Sequence, residues 1–451
     1  MSYNSRKSNR PNEYASKSAH SNIINDKEVQ EFISKCTFPP IVNEIDLTSL
    51  NTSMVNYTDT PPIDRIIAVD GGYSEVILNN DFPSSKIAYF QIGVLLLKLD
   101  DLKALKENAF IDTDDIKRLR EIERLKFAIP TQGVIFDGEI SLTNSIRKAV
   151  YNLFNENPQG VPFNEALATL VFETYKLREE RVEFYNLSSC PNPHCDEKNI
   201  KLTKQNMSSD YKFKCKCSEE IYLIDILRLH EHIDDDTGAS GILGYLITTI
   251  EQIIIFYYIL YFYEKRENWS VLEHLLFIKD GPLSFNGPTA RLHKVVRNFI
   301  NYIDSNVKIN LVGLEKSGAF VEHANLIRSK IKPGQVLLLD NSYIRKNIKL
   351  GPIDKQEPYG YTSYYSGKLI YKDRNDRMYV VTMPLKNYLL YNNPRPTDYW
   401  NLDSILSVVE DLKCDMYDDA IVPIAIANKL VSISAHPSTK ILEKFTKEEM
   451  K

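Results

Sequence analysis

"RIIAVDGGYSEVIL" occupies residues 65–78. Its β-branched opening reads as a buried strand, the Gly71-Gly72 pair as a turn, and YSEVIL as a second strand. A third follows in SKIAYFQIGVLLLKL (85–99), giving an antiparallel meander with Asp70 at the end of its first strand. Much later, LLFIKDGPLSF (275–285) repeats the device: an apolar run stops at Asp280, followed by Gly281-Pro282. An aspartate at the carboxyl end of a strand sits where open α/β sheets place their ligands. The glycine after it turns the backbone away and leaves room for a bulky group.

A single Asp-Gly after a strand is ordinarily only a turn. Two such strands side by side would aim Asp70 and Asp280 at one point. Carboxylates that close repel each other unless a divalent cation neutralises them, and hard oxygen ligands suit Mg²⁺ or Mn²⁺. A third carboxylate on a helix behind the sheet would complete a two-metal cage of the kind that supports in-line attack on a phosphodiester. Glu251 is the candidate, because it lies alone in the apolar run ILGYLITTIEQIIIFYYILYFY (242–263) and an acid there must find a cation or a polar pocket. That run is long enough to span a bilayer, but a mid-span carboxylate is costly in lipid. It is expected to be a central core helix, with no membrane partner.

The chain has 451 residues, 43% of them hydrophobic, and a formal net charge of -5. It can bury a large core, and it offers no bulk positive field for nucleic acid. A nucleic-acid partner would need a local basic groove or delivery by another protein. Residues 1–26 are polar and Ser/Asn-rich, expected to be a disordered tail without a secretory signal. With six cysteines, too few for a disulfide scaffold, a cytoplasmic setting is expected.

Residues 27–36 read as a short helix, 100–129 as a charged helical stretch (DDIKRLREIERLKF), and 141–156 and 164–183 as two more helices. After 235 come the long helix, the strand HLLFIKD, and alternating helices and strands to 435. The fold class is α/β: a mixed sheet whose first three strands are antiparallel and whose later strands are parallel, with helices on both faces. The expected division is a first core part at 27–185, a Cys-rich insertion at 186–235, a second core part at 236–435, and a charged tail at 436–451.

AVDGGYSEV (68–76), IEQIIIFYYIL (250–260), FIKDGPLSFNGP (277–288), VGLEKSGAFVEHA (312–324) and PIAIANKLVSIS (423–434), in this order, resemble the bacterial branch of the NurA nucleases. The resemblance runs over roughly residues 60–435. It implies an RNase H-like core, DNA-end processing in repair or anti-phage defence, a HerA-type hexameric ATPase as partner, and a homodimer. It also implies catalytic metals, Mn²⁺ or Mg²⁺, held by Asp70, Glu251 and Asp280. Glu264, Glu267 and Glu273 are the alternatives to Glu251. Where family members carry a histidine in the last core helix, this chain has Asn428, whose amide oxygen can still ligate or orient water. His436 is the alternative if the register shifts.

Lys316, just after a strand, is the candidate phosphate contact. His323 on the following helix could serve the site or simply pack. Asp137 and Glu139 could add metal ligands, but an exposed acidic turn is the commoner outcome, and they are left outside the core site. Cys190, Cys195, Cys215 and Cys217 form two close pairs about twenty residues apart, the pattern of a structural Zn²⁺ site in a zinc-ribbon-like module. His230 and His232 are expected on the surface or in local packing. The tyrosines of 356–377, interleaved with Lys and Arg, could stack single-stranded bases or form an ordinary hairpin. The expected function is a metal-dependent deoxyribonuclease. The alternatives are an RNase or resolvase on the same core, or a non-catalytic adaptor of an ATPase complex.

Overall fold

The computed structural model describes residues 18–40, 45, 51–58, 61–78, 84–101, 120–265, 269–387, 391–413, 421–433 and 438–449. The strands are β1 Thr52–Met54, β2 Arg65–Ile77, β3 Lys86–Lys98, β4 Arg120–Gln132, β5 Tyr185–Ser189, β6 Lys198–Leu202, β7 Lys212–Lys214, β8 Glu220–Tyr222, β9 Leu275–Asp280, β10 Asn310–Glu315, β11 Gln335–Leu338, β12 Ser366–Lys372 and β13 Met378–Pro384. Nine of them form one mixed sheet in the order β1-β11-β12-β13-β10-β9-β2-β3-β4.

The first three long strands, β2, β3 and β4, are antiparallel, and β9 and β10 then add to β2 in parallel. This is the RNase H-like arrangement expected. The later strands are not all parallel, however. β13, β12 and β11 continue antiparallel from β10, because β12 and β13 form a hairpin closed by Asp373 N–H donating to Arg377 O, and a tight hairpin can only join antiparallel strands.

Gly71-Gly72 does not turn the chain. β2 runs unbroken from Arg65 to Ile77 and pairs with β3 along its whole length. The glycines instead admit helices that press on the strand. A Cβ on Gly71 would lie 2.7 Å from Ile247 Cδ1, and one on Gly72 would lie 3.0 Å from Val431 O.

The charged stretch before residue 130 is not a helix either. Residues 120–132 form the edge strand β4, and 102–119 lie outside the described residues. Leu125, Phe127 and Ile129 alternate onto the core, with Phe127 stacked on Phe90 at 4.5 Å between ring centroids. The period is two, and Arg124 and Lys126, of the opposite parity, are exposed. Pro130 is tolerated because this strand is an edge. The helix expected at 164–183 ends at Val171, after which Glu173 adopts a left-handed φ of 51°.

Alternation along the strands sorts side chains onto two cores. Ile67, Val69, Leu275 and Phe277 face the first, and Ile66, Leu276 and Ile278 the second. The helix Leu243–Tyr263 fills the first core. A helix apolar on every side must be buried on every side, and here it is buried by β2, β9 and the helix Phe163–Val171. Among the described residues it is the one helix long and apolar enough to cross a membrane. The helices Ala319–Leu326, Leu402–Asp411 and Val422–Val431 cover the second core.

The hairpins β5–β6 and β7–β8 form the Cys-rich part, and Leu187, Leu202, Phe213 and Ile221 join the first core. Arg147, on the helix Leu142–Phe154, ties this part down: its Nε and Nη2 each donate to Asp225 at 2.8 Å. The C-terminal helix Ser438–Glu449 returns to the sheet, where the Thr446 and Tyr89 hydroxyls are 2.7 Å apart. None of the tyrosines of 356–377 is fully exposed. Tyr365 and Tyr371 are buried, Tyr359, Tyr361 and Tyr364 half-buried.

Candidate metal-binding active site

β9 lies beside β2 from Leu275 opposite Arg65 to Lys279 opposite Val69. The next residues, Asp280 and Asp70, therefore emerge together, and alternation puts both on the face of the second core. Gly281 then swings the chain away at φ +89°, a conformation that favours glycine. β2 runs on past this point and β9 does not.

Asp70 is buried, and Gly71 N–H donates to its Oδ1 at 2.9 Å. Burial first, and the charge of Asp280 second, push its carboxyl up to about 6. Lys316, one residue beyond β10, donates from Nζ to Asp280 Oδ2 at 2.8 Å. The helix Val422–Val431 closes the same face. Val431 Cγ1 rests 2.7 Å from where a Cβ of Gly93 would be, and Gly93 is the residue paired with Asp70. Asn428 is exposed, one turn before Val431 on that helix. His436 lies outside the described residues.

Glu251 approaches from the other face. Its Oε1 would be 3.1 Å from a Cβ on Gly71. It is 4% exposed, and burial raises its carboxyl to about 7 against the pull of Lys279. Lys279 Nζ sits 3.4 Å from Glu251 Oε2 and donates to the main-chain oxygen of Asp280 at 2.6 Å.

Asp70, Glu251 and Asp280 thus share one electrostatic neighbourhood without closing into a tight cage. Among the described residues, the cysteine cluster is the group of three or more Cys, His, Asp or Glu whose ligand atoms all lie within 4.8 Å of one another. Of the alternatives to Glu251, Glu264 caps the end of the long helix, Glu273 lies in the helix Trp269–His274, and Glu267 is outside the described residues.

Lys279 is the residue that the sequence reading passed over. It is 2% exposed in an otherwise apolar strand. A lysine inside LLFIKD was itself the signal, since a buried ammonium needs a carboxylate. A second buried lysine, Lys368 on β12, pairs with Glu315 at the end of β10 and lies 4.0 Å from the Phe320 ring centroid. It anchors the strand end from which Lys316 projects.

Other candidates fall away from the site. His323 is buried with Nε2 2.8 Å from the Tyr343 hydroxyl, and burial lowers its pKa to about 4. It is a neutral packing residue. Asp137 is exposed in a turn at φ 55°. His230 is buried beside Asp225, with desolvation lowering its pKa.

The donor chemistry fits a small divalent cation at Asp70 and Asp280: hard oxygens, one carboxylate buried and the other half-buried, with a single lysine, Lys316, donating to the pair at Asp280. The cysteines fit a softer one. Cys190 and Cys217 Sγ atoms are 3.7 Å apart, and Cys195 and Cys215 Sγ atoms 3.8 Å. Four thiolates around a tetrahedral ion with bonds of about 2.3 Å would be about 3.8 Å apart. His194 is exposed and outside this set.

Among solved structures, the chain is similar to the NurA nuclease from Sulfolobus solfataricus, with 9% identity over 97% of this chain and 98% of that one and a TM-score of 0.34. It is similar to a second NurA at 13% identity, 96% and 97% coverage and TM-score 0.27. A NurA bound to dAMP and manganese aligns at 12% identity, 95% and 94% coverage and TM-score 0.28. No family model matches, and no curated protein matches. With identities and TM-scores this low, the reading of function rests on the side chains themselves.

Proposed function

We propose that this protein is a divalent-metal-dependent DNA nuclease. The observation that carries the reading is the paired emergence of Asp70 and Asp280 where β9 stops, under-neutralised and flanked by Lys316. A cation such as Mn²⁺ or Mg²⁺ held by these two carboxylates would polarise a phosphodiester and lower the pKa of attacking water. Lys316 binds a non-bridging phosphate oxygen and fixes the scissile group, as a point charge does in phosphoryl transfer. Gly281 leaves space for that group. Glu251 balances the positive charge of Lys279 beneath the site, and Asn428 orients substrate or water from the helix above.

The cysteine cluster is proposed to hold Zn²⁺ and to staple the two hairpins. Because the chain carries a net charge of -5, DNA is proposed to reach the site with help from a HerA-type ring ATPase, acting with a second copy of this chain. The rival reading, a non-catalytic adaptor, draws on Asn428 standing exposed where the resembled family has a histidine.

The deciding experiment incubates purified protein with end-labelled linear DNA, circular single-stranded DNA and RNA, with Mn²⁺, Mg²⁺ or no added metal. Cleavage of DNA with Mn²⁺ supports the proposal. Cleavage of RNA alone supports the RNase reading. No cleavage of any substrate, with and without an ATPase partner, supports the adaptor.

A further inference from the structure

Leu283 lies just past the Asp280–Gly281 turn and outside every strand, so its main-chain polar groups need partners from elsewhere. Its N–H donates to Thr382 Oγ1 at 3.0 Å, and its carbonyl accepts from Ser366 Oγ at 2.9 Å. Both hydroxyl residues are buried, on β13 and β12, and β10 stands between these strands and β9. The span is possible because β10 carries Gly313 at that point. A Cβ there would lie 2.5 Å from Thr382 Oγ1 and from Gly281 O, and 3.1 Å from Leu283 Cγ. Thr382 completes its own bonding by donating to Gly313 O at 3.2 Å.

Leu283 and Phe285 join the first core, so the chain after Asp280 crosses β10 on that face, while the Asp280 carboxylate emerges on the other. The two hydroxyls therefore hold the backbone from across the sheet. That hold matters because the ladder between β2 and β9 ends at Val69 and Lys279. Beyond it, Asp280 is placed from the β10 side alone, by its pairing with Leu314 and by Gly281 N–H donating to Leu314 O at 2.6 Å. Ser284 O and Phe285 N–H are held separately, by Gln252 Nε2 at 3.0 Å and Ser363 O at 2.9 Å. Loss of one hydroxyl thus loosens the turn without releasing the whole loop.

We infer that Thr382 and Ser366 are positioning residues of the metal-binding pair: by clamping the N–H and carbonyl of Leu283 they fix the Asp280–Gly281 turn, and with it the reach of Asp280 toward Asp70. Neither residue touches substrate or metal. Groups that orient a ligand from behind govern its affinity for the ion. This rests on the nuclease reading above and extends it to β12 and β13.

The test measures Mn²⁺ affinity on zinc-saturated, full-length protein by the spin resonance of free Mn²⁺, with Asp70→Ala defining the specific ion, beside hydrogen–deuterium exchange over residues 281–285. Thr382→Val removes the hydroxyl at nearly constant shape. It is expected to weaken the Asp70-dependent ion by about 10–100-fold, the usual cost of losing a group that orients a ligand, and to speed exchange over 281–285. Thr382→Ser, which keeps a hydroxyl, is expected to bring both back toward wild type. Ser366→Ala frees the Leu283 carbonyl instead and is expected to weaken the same ion; it carries the test if Thr382→Val does not fold. Ile405→Val trims a buried side chain in the helix Leu402–Asp411 and is expected to lower stability at unchanged affinity. Wild-type affinity in either folded clamp variant, an equal loss in Ile405→Val, or no recovery in Thr382→Ser would overturn the inference and leave the nuclease reading standing. No Asp70-dependent Mn²⁺ in wild type would overturn both.

Discussion

Gly71 and Glu251 meet across the interface between β2 and the long helix, so that a Cβ on the glycine would lie 3.1 Å from Glu251 Oε1 and 2.7 Å from Ile247 Cδ1. The glycine next to Asp70 is a packing requirement of the helix that brings the glutamate in. Gly71→Ala is therefore expected to displace Ile247 and destabilise the protein by about 1–3 kcal/mol, the usual penalty of overpacking a core. Chemical denaturation measures the loss, and manganese affinity should fall with it because Asp70 is the adjacent residue.

Lys316 offers the reverse combination. Its Nζ is 2.8 Å from Asp280 Oδ2, and both side chains are about a quarter exposed, at 25% and 24%. A partly exposed pair of this kind contributes roughly 1 kcal/mol or less to stability. A donor aimed at developing phosphate charge contributes about 10²–10³ in rate. Lys316→Met is expected to leave the melting temperature nearly unchanged while cleavage falls by about that factor, with parallel melting curves and rate measurements as the check.

The acids fix a pH dependence. Asp70 is raised to about 6 and Glu251 to about 7 in the folded protein. Their ordinary values are about 4, so between pH 4 and 7 the folded state binds more protons than the unfolded one, and stability falls as pH rises through that window. Without divalent cation, wild type should lose stability from pH 5 to 7.5 relative to Asp70→Asn. Saturating Mn²⁺ should reverse the difference, stabilising wild type more at pH 7.5 than at pH 5. Melting curves in zinc-containing, Mn²⁺-free buffer test this without stripping the cysteine site.

Cys190 and Cys215 are buried and belong to the first core, so a metal held by this cluster would bear on more than two hairpins. One equivalent of zinc per chain is expected on release with a thiol reagent. Chelation or Cys215→Ser should lower stability by several kcal/mol, since metal binding and local folding are coupled. Zinc quantification with a colorimetric chelator and melting curves check both.

Much of this was legible before any coordinates. The strands at 65–70 and 85–99, the strand ending at Asp280, the buried long helix and the cysteine pairs were carried by β-branched and apolar runs, an all-apolar helix length and ligand spacing. Two features misled. Gly71-Gly72 has turn chemistry, but the strand continues because β3 pairs with it throughout and helices need its bare faces. Residues 120–132 carry charges at helical-looking intervals, but the pattern that decides is the alternation of Leu125, Phe127 and Ile129. The aspartates showed as strand ends, whereas their parity did not. Only the register between β2 and β9 reveals that Asp70 and Asp280 share a face while Glu251 meets Lys279 on the other.

The central claim is that Asp70 and Asp280 act as one metal-binding pair in DNA cleavage. Asp70→Asn and Asp280→Asn preserve size and remove one negative charge each. The account predicts that either change alone lowers manganese-dependent cleavage of linear DNA at least a thousandfold, and that the double variant is no worse, because residues acting as a unit are not additive. Undiminished cleavage in either single variant, with folding and zinc content intact, would contradict it.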